Sequence, residues 1–164
     1  MSDEIEYFDI VAEGTDGEYN SEIVELLRQY ALERISEFEV LDIFGAQSTK
    51  ALFSKSTLEF LLTVKLDNVI RTLHKMFTAY AEKTQQSLST QDDLLLQFAL
   101  YIRNLTSSTR IWYIYTPRVG SAFNQSTESL INPNAPHGRL VKRVLVSGIR
   151  VGELEIIAKP LVDA

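Results

Sequence analysis

The sequence contains no cysteine among its 164 residues. That absence excludes disulfides, thiolate nucleophiles, iron–sulfur clusters and cysteine-based zinc sites. The proportions of hydrophobic residues, 45%, and charged residues, 23%, are ordinary for a globular protein. We therefore expect a fold stabilised by its hydrophobic core, which needs neither a metal nor a disulfide.

Long apolar runs and a leader sequence are also missing. No uninterrupted apolar run approaches the ~20 residues that a membrane-spanning helix needs. The chain begins Met-Ser-Asp-Glu-Ile-Glu, whereas a signal peptide needs a basic start followed by an apolar stretch. These features predict an intracellular, soluble protein or part of a particle assembled in the cytoplasm, with no membrane contact and no secretion by a signal peptide.

Recognisable catalytic motifs are absent as well. The two histidines, His74 and His137, lie in a predicted helix and in a Pro/Gly-rich turn, and no serine occupies a Gly-x-Ser-x-Gly context. There is no His-Glu-x-x-His, no calcium loop and no phosphate-binding loop. Adjacent Asp92 and Asp93 would not face the same way on a helix. We expect no catalytic residue, no metal and no cofactor, although two carboxylates or a Ser–His pair could still meet in space.

The net charge of −6 conceals an uneven distribution along the chain. Residues 1–42 carry thirteen acidic and only two basic side chains. Residues 43–102 are nearly balanced, and residues 103–164 carry eight basic and four acidic side chains. An acidic N-terminal region and a basic C-terminal region predict attraction between different parts of neighbouring molecules.

Apolar residues at helical spacing predict three helices, at about 21–38, 58–83 and 90–106. Residues 40–44 either extend the first helix or form a short extended piece, and Gly45 ends it. The second helix follows the capping box Ser56-Thr-Leu-Glu59, and a break in it is allowed near Asp67-Asn68. Thr90 is predicted to cap the third helix.

After residue 107 the composition becomes typical of β-strands. Arg110–Thr116 is rich in aromatic and β-branched residues and ends at Pro117. A second strand is predicted at Arg139–Val146. Ser147-Gly148 offers a two-residue hairpin turn into a third strand at Ile149–Ala158.

Helices followed by strands predict an α+β fold rather than alternating βαβ units. We expect one domain over residues 1–164, with about three helices packed on a small, mainly antiparallel C-terminal sheet. Its parts are an acidic N-terminal arm (1–20, with a candidate edge strand at 6–12), a helical part (21–106), and a strand, long loop and hairpin (107–164).

Residues 118–138 are predicted to form a loop that is long for a compact domain, and such loops usually bind something or are disordered. The loop is mostly small and polar, with the isolated apolar residues Phe123, Leu130 and Ile131. A segment of this kind can become ordered against a neighbouring molecule. We predict that these three residues are interaction anchors; the alternative is that the loop packs on its own domain.

Basic and aromatic residues alternate in the C-terminal part. Between residues 103 and 150 there are seven basic residues and one acidic residue, Glu128. Trp112, Tyr113 and Tyr115 lie among them, and such residues can hold nucleic acid through phosphate contacts and base stacking. Alternatively, the aromatic residues belong to the core and the basic ones to the opposite face. The candidates for contact with an anionic partner are Arg118, Arg139, Lys142, Arg143 and Arg150.

These observations favour a non-catalytic structural subunit over an enzyme. We predict a homo-oligomeric ring or connector-like complex, of the kind found in virus or phage particles, that associates with itself and with other assembly subunits. A nucleic-acid-binding or adaptor protein is the second prediction, because a net charge of −6 disfavours a dedicated nucleic-acid binder. An enzyme of unknown class is the third.

Overall fold

The computed structural model describes residues 21–56, 59–60, 65–106, 110–134, 139–152 and 155–164. The helices in this part are α1 (Ser21–Val40), α2 (Ala46–Phe53), α3 (Leu66–Thr84) and α4 (Thr90–Thr106). The strands are β1 (Tyr113–Tyr115), β2 (Ser129–Leu130), β3 (Arg143–Val146), β4 (Gly148–Val151), β5 (Glu155–Ala158) and β6 (Leu161–Asp163). Helices precede strands, which confirms the α+β class. The predicted acidic arm, the candidate strand at 6–12 and His137 lie outside the described residues.

The helix boundaries differ from the predictions at three places. Lys65 has extended backbone angles (φ −91°, ψ 129°), so the break that the sequence allowed near Asp67-Asn68 lies at Lys65, and α3 begins at Leu66. Gly45 does not end α1, which stops at Val40; with φ 87° it precedes α2 instead. The sequence did not reveal α2, because a helix of eight residues shows little periodicity.

The start of α4 is capped by Ser89 rather than by Thr90. The Ser89 hydroxyl accepts a hydrogen bond from the Asp92 amide at 3.2 Å and donates one to the Asp92 carboxylate at 2.9 Å. The other carboxylate oxygen of Asp92 accepts from Arg34 Nε at 2.8 Å. This buried carboxylate therefore ties α1 to the first turn of α4.

The strands form two three-stranded sheets, with the orders β1-β4-β5 and β2-β6-β3. All neighbouring pairs are antiparallel except β2 and β6, which are parallel. The predicted hairpin turn at Ser147-Gly148 is wrong, because β3 and β4 belong to different sheets. Ser147 instead carries the chain from one sheet to the other, and the antiparallel neighbours β4 and β5 form the hairpin.

One hydrophobic core joins the helices to both sheets, and α3 lies at its centre. Leu73, Met76 and Phe77 on α3 are completely buried. The Phe38 ring of α1 contacts the Phe77 ring at 5.6 Å between centroids. The same cluster includes Leu145, Val146, Ile149 and Leu161 from the strands. The helical and strand-rich parts therefore share one core, and the surfaces described below are fixed relative to it.

Candidate functional site

The turn between α1 and α2 presents large apolar side chains to solvent. Val40 is 85% exposed and Phe44 is 88% exposed, while Leu41 between them is partly exposed. Residues 37–44 also include Glu37, Glu39 and Asp42 and no basic residue. We call this segment, residues 37–44, the acidic corner.

Hydrogen bonds fix the shape of the acidic corner. The amides of Leu41, Asp42 and Ile43 bond back to carbonyls of α1 at 3.0–3.2 Å. Lys83 Nζ at the end of α3 donates to the Leu41 carbonyl at 2.5 Å. Ile43 is buried, which orients the turn so that its neighbour Phe44 faces outward. The exposed side chains thus stand on an ordered turn.

A second exposed surface is built from the two ends of the long loop. The Val141 amide donates to the Ser121 carbonyl and the Gly120 amide to the Val141 carbonyl, each at 2.8 Å. Ala122 and Leu140 form an isolated antiparallel bridge. We call residues 118–123 and 139–142 the basic ribbon, because they include three basic residues and no acidic one.

The basic ribbon has apolar residues beside its charges. Val119 is 62% exposed and Leu140 is 57% exposed. The exposed side chains of Arg118 and Lys142 make no hydrogen bond or ion pair with any described residue. Arg139 differs, since its guanidinium donates to the backbone carbonyl of Ala164 at 2.7 Å. The ribbon therefore offers two uncompensated cations around an apolar centre.

The three predicted loop anchors lie against their own domain. Phe123 is half-buried, and its amide donates to the Arg139 carbonyl at 2.9 Å. Leu130 is paired with Val162 in the parallel β2–β6 ladder. Ile131 packs against the core, and its amide donates to the Val162 carbonyl at 2.9 Å. Their role as contacts between subunits stays a prediction, and their contribution to the domain itself is clear.

Glu128, the one acid of the basic segment, holds the loop to β1. One carboxylate oxygen accepts from the Tyr115 hydroxyl at 3.0 Å and the other from the Asn124 amide at 3.1 Å. The side chain is buried. A buried carboxylate needs such partners, and here they close residues 124–128 over the strand.

The predicted aromatic and basic residues do not form one surface. Trp112 is buried, while Tyr113 is exposed. The Arg150 guanidinium lies over the Tyr115 ring at 5.4 Å. Arg143 Nη2 donates to the Gln85 carbonyl at 2.9 Å. Contact with nucleic acid stays a prediction, and these contacts leave little of the predicted stacking surface accessible.

Neither a metal site nor a membrane-spanning helix is found in the part of the chain that the structure describes. No group of three or more His, Asp or Glu side chains there could hold a metal ion. No helix in that part combines the length and hydrophobicity needed to cross a bilayer. His74 is buried on α3, and its Nε2 bonds to the Ser147 carbonyl at 2.9 Å, which is a structural contact.

Sequence reasoning missed Phe44 as a surface residue. Asp42 and Gly45, on either side of it, adopt positive φ (54° and 87°), a turn geometry that the largely apolar run of residues 40–44 did not signal. No protein-family model, curated protein or solved structure matches this chain. The function must therefore be argued from the acidic corner, the basic ribbon and the remaining surface.

Proposed function

We propose that this protein is a non-catalytic assembly subunit that forms a homo-oligomer, in which the acidic corner of one copy packs on the basic ribbon of another. The observation that carries the proposal is the exposure of Phe44, at 88%, on an ordered turn. Burying an exposed phenylalanine is worth about 1.5–3 kcal/mol. The domain leaves that free energy unused, and a second molecule can supply the missing surface.

Charge complementarity supports another copy of this chain as the second molecule. The acidic corner carries three acidic residues, of which Glu37 pairs with Arg34 and Glu39 with Lys50. The exposed Asp42 carboxylate makes no ion pair with any described residue, and the basic ribbon carries three basic residues and no acidic one. Facing patches of opposite charge steer association and fix the orientation of the partners. Both surfaces also combine an apolar centre with charged residues at the margin, which is the usual anatomy of a protein interface.

The geometry of the contact has a consequence for symmetry. A contact between two different patches, repeated from copy to copy, closes into a ring when the rotation allows it and otherwise extends as a filament. We extend the proposal to a ring or connector-like complex, of the kind that virus particles contain, by analogy of architecture alone. Assembly with other subunits would use the same two surfaces at the ends of an open array.

Removing the apolar side chains tests this contact. Phe44→Ser and Leu140→Ser should each dissociate the oligomer toward the 18.6 kDa monomer, measured by light scattering after gel filtration. Because both side chains are exposed in the folded domain, the free energy of unfolding should change by less than about 0.5 kcal/mol. Ile111→Ser is the matched control, since Ile111 is exposed and lies outside both surfaces.

The double variant separates a direct contact from two independent ones. If Phe44 and Leu140 meet across one interface, the double variant should weaken association by less than the sum of the single variants. Strict additivity would place them in different contacts. A parent protein that is monomeric at every concentration tested, or an Ile111→Ser variant that dissociates equally, would contradict the proposal.

A further inference from the structure

Trp112 lines a cleft that the assembly surfaces do not include. The Asn104 side chain holds its backbone on both sides, accepting from the Trp112 amide at 3.0 Å and donating to its carbonyl at 2.9 Å. The guanidinium carbons of Arg103 and Arg71 lie 4.3 Å and 5.4 Å from the centre of the indole ring. The cleft has a volume of about 230 Å³.

Two of the three arginines in the cleft are paired with carboxylates. Arg103 Nε donates to Asp67 at 2.9 Å, and Arg110 Nη2 donates to both oxygens of Glu155 at 3.0 and 3.1 Å. Arg71 makes no hydrogen bond or ion pair with any described residue. Among the described residues, the cleft therefore contains one positive charge that no carboxylate compensates.

We propose that this cleft binds a carboxylate, held by the guanidinium of Arg71. The planar guanidinium matches the two oxygens of a carboxylate and forms parallel hydrogen bonds with them. A single unmatched charge favours a monoanion over phosphate, which carries up to two negative charges at neutral pH. Val151 and Ile157 also line the cleft, and they would receive the apolar part of the ligand.

The exposed Arg110–Glu155 pair can adapt to such a ligand. Both side chains are more than half exposed (69% and 52%), and exposed pairs of this kind contribute little to stability. Arg110 can therefore turn from Glu155 toward a second carboxylate oxygen at small cost. Arg103 is buried and tied to Asp67, so it positions Trp112 while Arg71 makes the contact with the ligand.

Trp112 is the only tryptophan of the chain, so intrinsic fluorescence reports directly on the cleft. Sodium butyrate is the probe, titrated against sodium chloride at equal ionic strength. We expect a saturable change in emission with butyrate and none with chloride. Arg71→Gln should weaken binding by about ten-fold or more, since it removes a charge-assisted bidentate contact. Lys75→Gln, an exposed change one turn further along α3, should bind like the parent.

A second measurement that does not depend on fluorescence is needed, because Arg71→Gln also alters the environment of the indole. A ligand that binds only the folded state raises the melting temperature, so butyrate should raise it in the parent and in Lys75→Gln, and not in Arg71→Gln. The proposal fails if butyrate gives no saturable signal in the parent, if inorganic phosphate binds more tightly, or if Arg71→Gln responds like the parent.

The carboxylate can come from a small acid or from a protein side chain, and one comparison distinguishes them. Residues 1–20 carry seven acidic and no basic side chains. A synthetic peptide of these residues that binds through Arg71 more tightly than butyrate would identify a protein carboxylate as the ligand, and weaker binding would identify a small acid. The titrations use the Phe44→Ser variant as well as the parent, so failure of the assembly proposal would not affect this result.

Discussion

At the scale of single residues, His74 makes the stability of the domain depend on pH. Burial lowers the pKa of His74 below its ordinary value of 6.5, and the hydrogen bond to the Ser147 carbonyl offsets only part of that effect. A carbonyl can only accept, so the neutral ring must carry its proton on Nε2. The folded domain therefore favours the neutral imidazole.

The direction of the pH effect follows from proton binding. Below about pH 6.5 the unfolded chain protonates His74 before the folded chain does, so the unfolded state gains stability. The free energy of unfolding should fall as pH is lowered from 7.5 to 5.5, a range above the ordinary pKa values of Asp and Glu. Urea unfolding at the two pH values measures it. In His74→Gln the free energy of unfolding should fall less between the two pH values. An equal fall in the variant and the parent would show that other groups cause the pH dependence.

At the scale of elements, the crossing between the two sheets depends on Gly148. A Cβ at this position would lie 2.5 Å from Pro160 Cδ and 2.6 Å from the Ala158 carbonyl oxygen. Gly148→Ala must displace backbone atoms and should lower the free energy of unfolding by about 1–3 kcal/mol. Thr116→Ala is the control, because it removes only the exposed hydroxyl contact with Ser147 and should cost less than about 1 kcal/mol. Equal urea midpoints for the two variants would contradict this argument.

The elements also show which sequence patterns are sufficient to predict secondary structure. The periodicity of α1 and α4 predicted both helices, because each buries a continuous apolar stripe over four or more turns. The placement of β3 and β4 in different sheets could not be read locally. Ser147-Gly148 resembles a hairpin turn, and it is the packing of Pro160 against Gly148 that accompanies the change of sheet.

At the scale of the whole molecule, the sequence shows an acidic N-terminal and a basic C-terminal region. It does not show which of these charged side chains are accessible at the surface. Arg118 and Lys142 make no ion pair with any described residue, whereas Arg139 donates to a backbone carbonyl, Arg143 pairs with Asp163 and Arg150 covers the Tyr115 ring. Which charges are available depends on tertiary contacts that no local pattern encodes. The same holds for the exposure of Phe44 and for Arg71, which makes no ion pair with any described residue; both are visible only in the folded domain.

If opposite charges hold the acidic corner against the basic ribbon, salt should weaken the oligomer. The Debye length falls from about 10 Å at 0.1 M to about 3 Å at 1 M ionic strength, so dissociation should occur at higher protein concentration in 1 M salt.

The variant Arg118→Glu with Lys142→Glu leaves Arg139 as the one basic residue of the ribbon beside two new acidic ones. Its ribbon then repels the acidic corner, and salt should strengthen rather than weaken its association. Light scattering at several salt and protein concentrations measures how the association of the parent and of the variant changes with salt. The same sign of slope in the parent and the variant would show that the apolar residues alone, or a different pair of surfaces, hold the copies together.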